Sequence, residues 1–104
     1  MFNAAITLMG NIGDTTGLMT ASSGKVWLRL RVATNHGKNF ERTSWHTVKF
    51  FDSLAVAASK QSKGDAVTIY GDLREDEWTD KDNAELVRKQ HVVYAQNLAI
   101  TKWK

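Results

Sequence analysis

The chain has 104 residues, which is the length of one domain. Its composition, 42% hydrophobic, 10% aromatic and 24% charged, is that of an ordinary globular domain and not of a disordered segment. The absence of cysteine excludes a disulfide scaffold, a cysteine-based zinc site and a thiol nucleophile, and it favours a reducing compartment. The sequence has no apolar run near the roughly 20 residues of a membrane span, and its net charge of +3 gives only a mild preference for polyanions.

Five segments alternate apolar and polar residues, and this period of two predicts five β-strands. The alternating segments cover residues 4–9, 25–32, 44–51, 67–73 and 92–100. Predicted turns separate them: Gly10-Asn11-Ile12-Gly13, Ser22-Ser23-Gly24, Asn35-His36-Gly37, Lys63-Gly64-Asp65 and Asp80-Lys81-Asp82-Asn83. Strands at this spacing are typical of a small barrel or sandwich.

One segment lacks this period and predicts a short helix. Residues 53–62 are rich in alanine, Asp52 in front of them is the predicted N-cap, and Gly64 behind them is the predicted stop. The order strand, strand, strand, helix, strand, strand predicts an all-β fold, a five-stranded Greek-key OB-fold barrel with one short helix between strands 3 and 4. We expect residues 1–104 to form this single domain.

The outward faces of the second and third predicted strands combine aromatic rings with cations. The second strand presents Lys25, Trp27, Arg29 and Arg31. The third strand presents Trp45, Thr47, Lys49 and Phe51. If the two strands are antiparallel neighbours, these side chains share one surface. Bases stack on such rings with about 1–3 kcal/mol each while cations follow the phosphates, so the pattern favours binding of single-stranded nucleic acid.

Two other interpretations of these faces remain open. The stems of the arginines can lie over Trp27 and shield it from water, in which case the surface need not bind anything. Alternatively, the surface is buried against a neighbouring subunit, and the protein is a structural oligomerisation or interaction module.

Three further rings are candidates for stacking. Trp78 lies in the predicted hairpin loop between the fourth and fifth strands, Phe40 lies in the loop before the third strand, and Tyr70 lies on the fourth strand. The loops that carry Trp78 and Phe40 flank the binding groove of an OB-fold. Because acidic residues surround Trp78, we expect it to stack on bases without phosphate contacts. Both loop rings could instead only brace their own loops.

The sequence indicates neither an enzyme nor a metal site. His36, His46 and His91 do not have the spacing of metal ligands, and His46 faces the core side of its predicted strand as a buried or subunit-contact residue. The sequence contains no glycine-rich phosphate loop, nucleophile elbow or pair of catalytic carboxylates. Residues 75–77 are interpreted as a solvated acidic loop. We therefore expect no catalytic residues, no metal and no cofactor.

Several motifs resemble those of bacterial and phage single-stranded DNA-binding proteins, in the order and at the intervals of that family. Residues 6–13, Ile-Thr-Leu-Met-Gly-Asn-Ile-Gly, resemble the opening of the family. Residues 41–48, Glu-Arg-Thr-Ser-Trp-His-Thr-Val, are similar to its E-x-T-E-W-H-x-V, and residues 63–73 are similar to its K-G-S-x-V-x-V-x-G-x-L. Trp78 stands where the family usually has a tryptophan. Taken together, these motifs extend the resemblance over nearly the whole chain.

The resemblance implies an OB-fold that coats single-stranded DNA, without strong sequence preference, in DNA replication, recombination or repair. It implies a subunit contact near His46 and a homo-oligomer, which is usually a tetramer and otherwise a dimer. It also implies stacking of bases on three rings: Trp45, Phe51 and Trp78.

The chain departs from the family pattern in its charges and in one loop. Basic residues are common in the family at three positions where this chain has none: Ala5, Met19 and Thr47. Four residues are unusual additions: Trp27, Arg29, Arg31 and Lys49. We interpret this as a relocation of the binding charge to the second and third strands. The loop 35–44 is shorter than usual and lacks a tryptophan, and Phe40 or His36 is expected to take its place.

Family members typically continue into a linker and an acidic tip that recruits replication and repair proteins, whereas this sequence stops at Lys104. Two explanations fit: a trimmed sequence, or a naturally tailless protein of a phage or plasmid. We expect no C-terminal linker or acidic tail, so partners of such a tail are not assigned. The resemblance implies a cytoplasmic, nucleoid-associated protein without a membrane partner. An RNA-binding or primosome-associated OB domain is a related alternative.

Overall fold

A computed structural model describes residues 2–101 of the chain. In chain order the elements are β1 (Ala5–Thr15), β2 (Met19–Thr20), β3 (Val26–His36), a 3-10 turn (Lys38–Phe40), β4 (Arg42–Phe51), α1 (Asp52–Ser59), β5 (Ala66–Thr79) and β6 (Val87–Thr101). The predicted strands and helix are present in the predicted order, and the five long strands each exceed their alternating segment. The prediction that the chain has no C-terminal linker or acidic tail falls on residues 102–104, which lie outside the described residues.

The five long strands close into a barrel. Hydrogen-bonded neighbours follow the order β1-β5-β6-β4-β3-β2, and β1 also pairs with β3, which closes the ring. The pairings are antiparallel except for a short parallel contact between β4 and β6, where Lys49 pairs with Tyr94. With α1 between the third and fourth long strands, the predicted five-stranded Greek-key OB-fold barrel is confirmed.

Aliphatic side chains on the inner faces of the strands fill the barrel. Leu28 and Val32 on β3 and Val48 and Phe50 on β4 are fully buried. Ala55 on α1 belongs to the same cluster, so the helix packs on the barrel. Because successive side chains of a strand point to opposite faces, burial of these residues turns their neighbours on β3 and β4 outward.

The predicted turn at residues 10–13 is wrong, because these residues lie within β1. The strand changes its partner here: Asn11 pairs with Ala66 of β5 and with Ala33 of β3. A Cβ at Gly10 would lie 2.2 Å from the carbonyl oxygen of Ala33, so only glycine permits this close approach. The glycine marks contact between two backbones inside the barrel and not a reversal of the chain.

The predicted hairpin loop around Trp78 is also wrong. β5 continues to Thr79, so Trp78 lies in a strand and pairs with Arg88 of β6. Most side chains of residues 73–79 and all those of 87–91 are exposed. A strand pair without a buried face does not alternate apolar and polar residues. The alternation in this segment therefore ends at residue 73, whereas the strand continues to Thr79.

The predicted N-cap of the helix is wrong as well. The helix begins at Asp52, Phe51 takes the N-cap position, and there is no side-chain capping hydrogen bond. The Asp52 carboxylate instead lies 4.0 Å from Nζ of Lys25. The helix ends at Ser59 and not at Ser62 as predicted. The backbone N–H of Ser62 instead donates to the carboxylate of Asp65, in the turn before β5.

Candidate nucleic-acid interface

β3 and β4 carry the predicted aromatic and cationic side chains on one outward surface. Their antiparallel register gives four facing pairs: Trp27–Phe51, Arg29–Lys49, Arg31–Thr47 and Ala33–Trp45. The antiparallel arrangement on which the sequence argument depended is thus present. We call this surface, which consists of Trp27, Arg29, Arg31, Trp45, Thr47, Lys49 and Phe51, the β3–β4 face.

Trp45 lies near one end of the β3–β4 face and is supported by the backbone of β1. Its side chain is 49% exposed, and the guanidinium carbon of Arg31 lies 5.4 Å from the centroid of the indole. A Cβ at Gly13 would lie only 2.2 Å from Cζ3 of the indole, so the ring rests against this glycine. The indole is therefore held in place while half of its surface stays open.

Gly13→Ala should destabilise the protein through Trp45. The added methyl group would occupy space that the indole fills, and such overpacking costs about 1–3 kcal/mol of unfolding free energy. Urea unfolding of four proteins checks this: wild type, Gly13→Ala, Trp45→Ala and the double variant. In the Trp45→Ala background the cost of Gly13→Ala should disappear, whereas an equal cost in both backgrounds would show that Gly13 does not act through the ring.

Arg29 lies where three shallow depressions of the face meet. One extends toward Trp27 and Phe51, a second of about 440 Å³ extends toward Trp78, and a third extends toward Arg31. Within the described part of the chain, neither Arg29 nor Arg31 forms an ion pair. Both arginines are exposed, so an anion can contact them in the groove around Arg29 that the three depressions form.

Lys49, unlike the two arginines of the face, is paired with a carboxylate. Its Nζ lies 2.7 Å from Oδ2 of Asp76, and the hydroxyl of Tyr94 donates to Oδ1 of Asp76, also at 2.7 Å. The side chains of Lys49 and Asp76 are only 28% and 23% exposed. The interpretation of residues 75–77 as a solvated loop is wrong in two respects. All three lie in β5, and Asp76, unlike the exposed Glu75 and Glu77, is half-buried where it lines the same depression as Arg29.

The surroundings of Asp76 favour its charged form. Burial by itself would raise the pKa of Asp76, but the hydrogen bonds from Lys49 and Tyr94 and the charges of Lys49 and Arg74 outweigh it, so the pKa lies below its ordinary value of 3.8. Burial and the hydrogen bond to Asp76 raise the pKa of Tyr94 above 10.0. At neutral pH the side chain of Asp76 is therefore a carboxylate and that of Tyr94 a protonated phenol.

Sequence reasoning missed Tyr94 and Arg74. The ring of Tyr94 stacks on Phe51, with centroids 6.0 Å apart and planes inclined by 13°, and the guanidinium of Arg74 lies 4.3 Å from the centroid of Tyr94. These contacts extend the row of rings from β4 onto β6. The pairing of Lys49 with Tyr94 joins strands that are far apart in the chain, so no local pattern could reveal it.

The remaining predicted rings lie in different places. Trp78 is exposed and lines the same depression as Arg29. Phe40 is exposed on the 3-10 turn that joins β3 to β4. Tyr70 pairs with Thr7 of β1, on a surface apart from the β3–β4 face. The structure therefore brings Trp78, but not Tyr70, into the groove around Arg29.

His46 lies on the core side of β4, as its place in the alternation predicts. Its Nε2 lies 2.8 Å from Oγ1 of Thr34 on the neighbouring strand. Burial lowers the pKa of His46 from its ordinary value of 6.5, so the imidazole is neutral at pH 7. Its role in a subunit contact stays a prediction.

Acidification should destabilise the fold through His46. Because the pKa is lower in the folded state, the unfolded chain binds this proton more readily; stability is complete above pH 6.5 and is lost as the pH falls toward the folded pKa. Urea unfolding between about pH 7.5 and about pH 5 should show this loss, and His46→Gln should reduce it. His91→Gln, at an exposed histidine, is the matched control. An unchanged pH profile in His46→Gln would contradict this role of the ring.

Residues 2–101 contain no cluster of three or more potential metal-ligating side chains. None of the helices there has the length and apolar character that crossing a membrane requires.

The fold and the face together define a class of protein: an OB-fold barrel whose open surface combines stacking rings with unpaired cations. The sequence model described as "Single-strand binding protein family" matches residues 3–101. The chain belongs to this family, and the resemblance found in its motifs is confirmed.

Individual proteins of known name are similar to the chain. The single-stranded DNA-binding protein of Xanthomonas campestris pv. campestris is 34% identical over 87 residues, which cover 77% of this chain and 51% of that protein. The single-stranded DNA-binding protein 1 of Nostoc sp. is 31% identical over 77 residues, covering 73% of this chain and 65% of that protein. The chain thus spans half to two thirds of the length of these curated relatives.

A solved structure is similar over almost the whole chain. The crystal structure of wild-type single-stranded DNA binding protein from Thermus aquaticus has a TM-score of 0.77 and 30% sequence identity to this chain. The similarity covers 99% of this chain and 42% of that one.

Proposed function

We propose that this protein binds single-stranded DNA, without sequence preference, on the β3–β4 face. The observation that carries the proposal is the register of β3 and β4, which sets Trp27, Phe51 and Trp45 beside the unpaired Arg29 and Arg31. Bases stack on such rings with about 1–3 kcal/mol each, and arginines contact the phosphates. Because every base has a π-face, stacking tolerates any sequence.

The groove around Arg29 suggests how the strand is held. Trp78 stands among acidic residues at its border, so it stacks a base while the phosphates stay near the arginines. Phe40 and Tyr70 extend the contacts beyond the groove. The proposed binding set remains that of the sequence analysis: Trp27, Arg29, Arg31, Phe40, Trp45, Lys49, Phe51, Tyr70 and Trp78.

A titration with poly-dT at low salt tests the proposal. Stacking on the indoles should quench tryptophan fluorescence, and the affinity should fall with salt at a log–log slope of about −0.7 per phosphate neutralised. Fluorescence that stays unchanged at saturating poly-dT would contradict stacking. Comparison of dT and rU oligomers of equal length then tests the preference for DNA, and tighter binding of rU would favour the RNA-binding alternative.

Arg29→Gln should weaken binding and flatten its salt dependence. If the guanidinium replaces one counterion on a phosphate, its loss should reduce the magnitude of the log–log slope by about 0.7. Lys60→Gln, just after α1, removes one positive charge away from the face and serves as the control. Equal slopes for the wild type and Arg29→Gln would remove Arg29 from the phosphate path.

The biological setting is proposed on the family alone. The protein coats and protects single-stranded DNA during replication, recombination or repair, as a cytoplasmic, nucleoid-associated binding protein and not as an enzyme. Membership of a family described as single-strand binding supports the binding role. A nuclease assay on the bound strand checks the non-enzymatic part, and degradation of the strand would contradict it.

We also propose a homo-oligomer, a tetramer or otherwise a dimer. The exposed Met9 on β1 supports the proposal, since an exposed apolar side chain of this size is suited to contact with another copy. Native mass spectrometry measures the state directly. Trp27→Ala separates the alternatives: a DNA contact predicts an intact oligomer with weaker dT binding, whereas burial between subunits predicts dissociation.

A further inference from the structure

The carboxylate of Asp76 is fixed at the centre of a cluster that closes the groove on one side. Oδ2 accepts a hydrogen bond from Lys49 and Oδ1 accepts one from Tyr94. Tyr94 is itself held between the ring of Phe51 and the guanidinium of Arg74. Three strands, β4, β5 and β6, therefore set the position of this carboxylate beside Lys49.

We propose that Asp76 lowers the affinity of the DNA site. In the free protein its carboxylate is paired with the ammonium group of Lys49, and a DNA phosphate that binds Lys49 must displace it. This inference rests on the proposed function. A carboxylate and a phosphate are both anionic oxygen acceptors, and each binds an ammonium group by charge-assisted hydrogen bonds at the same short distance. Asp76 is thus an intramolecular competitor for the phosphate.

Displacement does not leave Asp76 without partners. Its second oxygen keeps the hydrogen bond from Tyr94, and the positive charge of Arg74 stays beside that ring. An acceptor that retains a donor avoids the penalty of an unsatisfied carboxylate. The exchange of Asp76 for a phosphate on Lys49 is therefore accessible to a bound strand.

The competition also limits the electrostatic part of binding. With Lys49 neutralised, the face offers an incoming strand two unpaired cations, Arg29 and Arg31. The loss of the Lys49–Asp76 ion pair offsets part of the free energy gained when Lys49 contacts a phosphate, so stacking on the rings supplies a larger share of the affinity. A polyanion without stacking groups gains correspondingly less from this surface.

The test is a double-variant cycle on the full chain, with a fluorescent dT oligomer as the probe. Asp76→Asn keeps an oxygen for Tyr94 but no longer neutralises Lys49, so dT should bind about threefold to tenfold more tightly at low salt. Its log–log salt slope should stay close to that of the wild type, because Lys49 contacts the same phosphate in both complexes. In a Lys49→Met background, Asp76→Asn should leave the affinity unchanged.

Glu77→Gln is the matched control, because Glu77 lines the same depression and forms no ion pair within the described residues. It should change the affinity by less than about twofold. Equal tightening by Asp76→Asn in the wild-type and Lys49→Met backgrounds would show that Asp76 acts only as a general negative charge, and the inference would be overturned. Unchanged or weaker binding by Asp76→Asn would also overturn it.

A measurement on the wild type avoids any dependence on the folding of a variant. The NMR signal of the Lys49 ammonium group should shift when dT is added, because its acceptor changes from carboxylate to phosphate. A signal that stays unchanged at saturation would overturn the inference while leaving DNA binding itself intact. If the wild type does not bind dT at low salt, the proposed function fails and the inference fails with it.

Discussion

Trp45→Ala is expected to weaken dT binding by about fivefold to about 150-fold, which corresponds to the roughly 1–3 kcal/mol of one stacked base. The side chain is 49% exposed, and its ring is supported by Gly13 and flanked by Arg31. Such a ring is already fixed before a base arrives, so little side-chain freedom is lost on binding. Fluorescence anisotropy of a labelled dT oligomer measures the change.

Trp45→Phe is the control, because it keeps a stacking surface at the same position and should retain most of the affinity. Circular dichroism and native mass spectrometry confirm that both variants fold and keep their oligomeric state. If Trp45→Ala is folded, assembles normally and binds dT with wild-type affinity, Trp45 is not part of the site.

Phe50→Ala is expected to destabilise the protein by about 3–5 kcal/mol. Phe50 is 0% exposed and is the largest fully buried side chain among the described residues, so its removal leaves a cavity that the closed barrel can only partly fill. This loss is a large fraction of the roughly 5–15 kcal/mol that stabilises a typical domain. Urea unfolding at one fixed protein concentration measures it.

Phe40→Ala makes the same chemical change at a side chain that is 73% exposed. Its effect on stability should stay within about 0.5 kcal/mol. Similar losses for Phe50→Ala and Phe40→Ala would contradict the placement of Phe50 in the core. The pair also separates stability from binding, because only Phe40 belongs to the proposed DNA path.

The parts of the fold that sequence reasoning predicted are those with one buried face. On β3 and β4, burial of alternate residues such as Leu30 and Val48 produces a period of two that reads directly from the chain. The same period assigned Arg29 and Trp45 to the outer face. Local pattern and barrel geometry agree here, so both the strands and their shared surface were predictable.

The errors arose where backbone contacts or solvent, and not burial, determine the structure. Gly10 lies in a strand because two backbones meet there, but its sequence context is that of a turn. The outer part of the β5–β6 hairpin is exposed on both faces, so the strand that carries Trp78 was mistaken for a loop.

The contact of Lys49 with Asp76 was beyond sequence reasoning for a different reason. The two residues stand on β4 and β5, which are not neighbours in the sheet, and β6 lies between them. Their approach across Tyr94 depends on the parallel pairing of β4 with β6, which places Lys49 beside Tyr94. An acidic run such as residues 75–77 is ordinarily solvated, and only the three-dimensional structure distinguishes Asp76 from Glu75 and Glu77.

Mapping a dT oligomer onto the protein by NMR tests the central claim most directly. Backbone amide signals of residues 27–31 and 45–51, together with the indole N–H signal of Trp45, should shift and saturate with the same affinity that anisotropy reports. If the oligomer is fully bound while these signals stay unchanged, the strand lies elsewhere on the barrel, and the assignment of the β3–β4 face to DNA is contradicted.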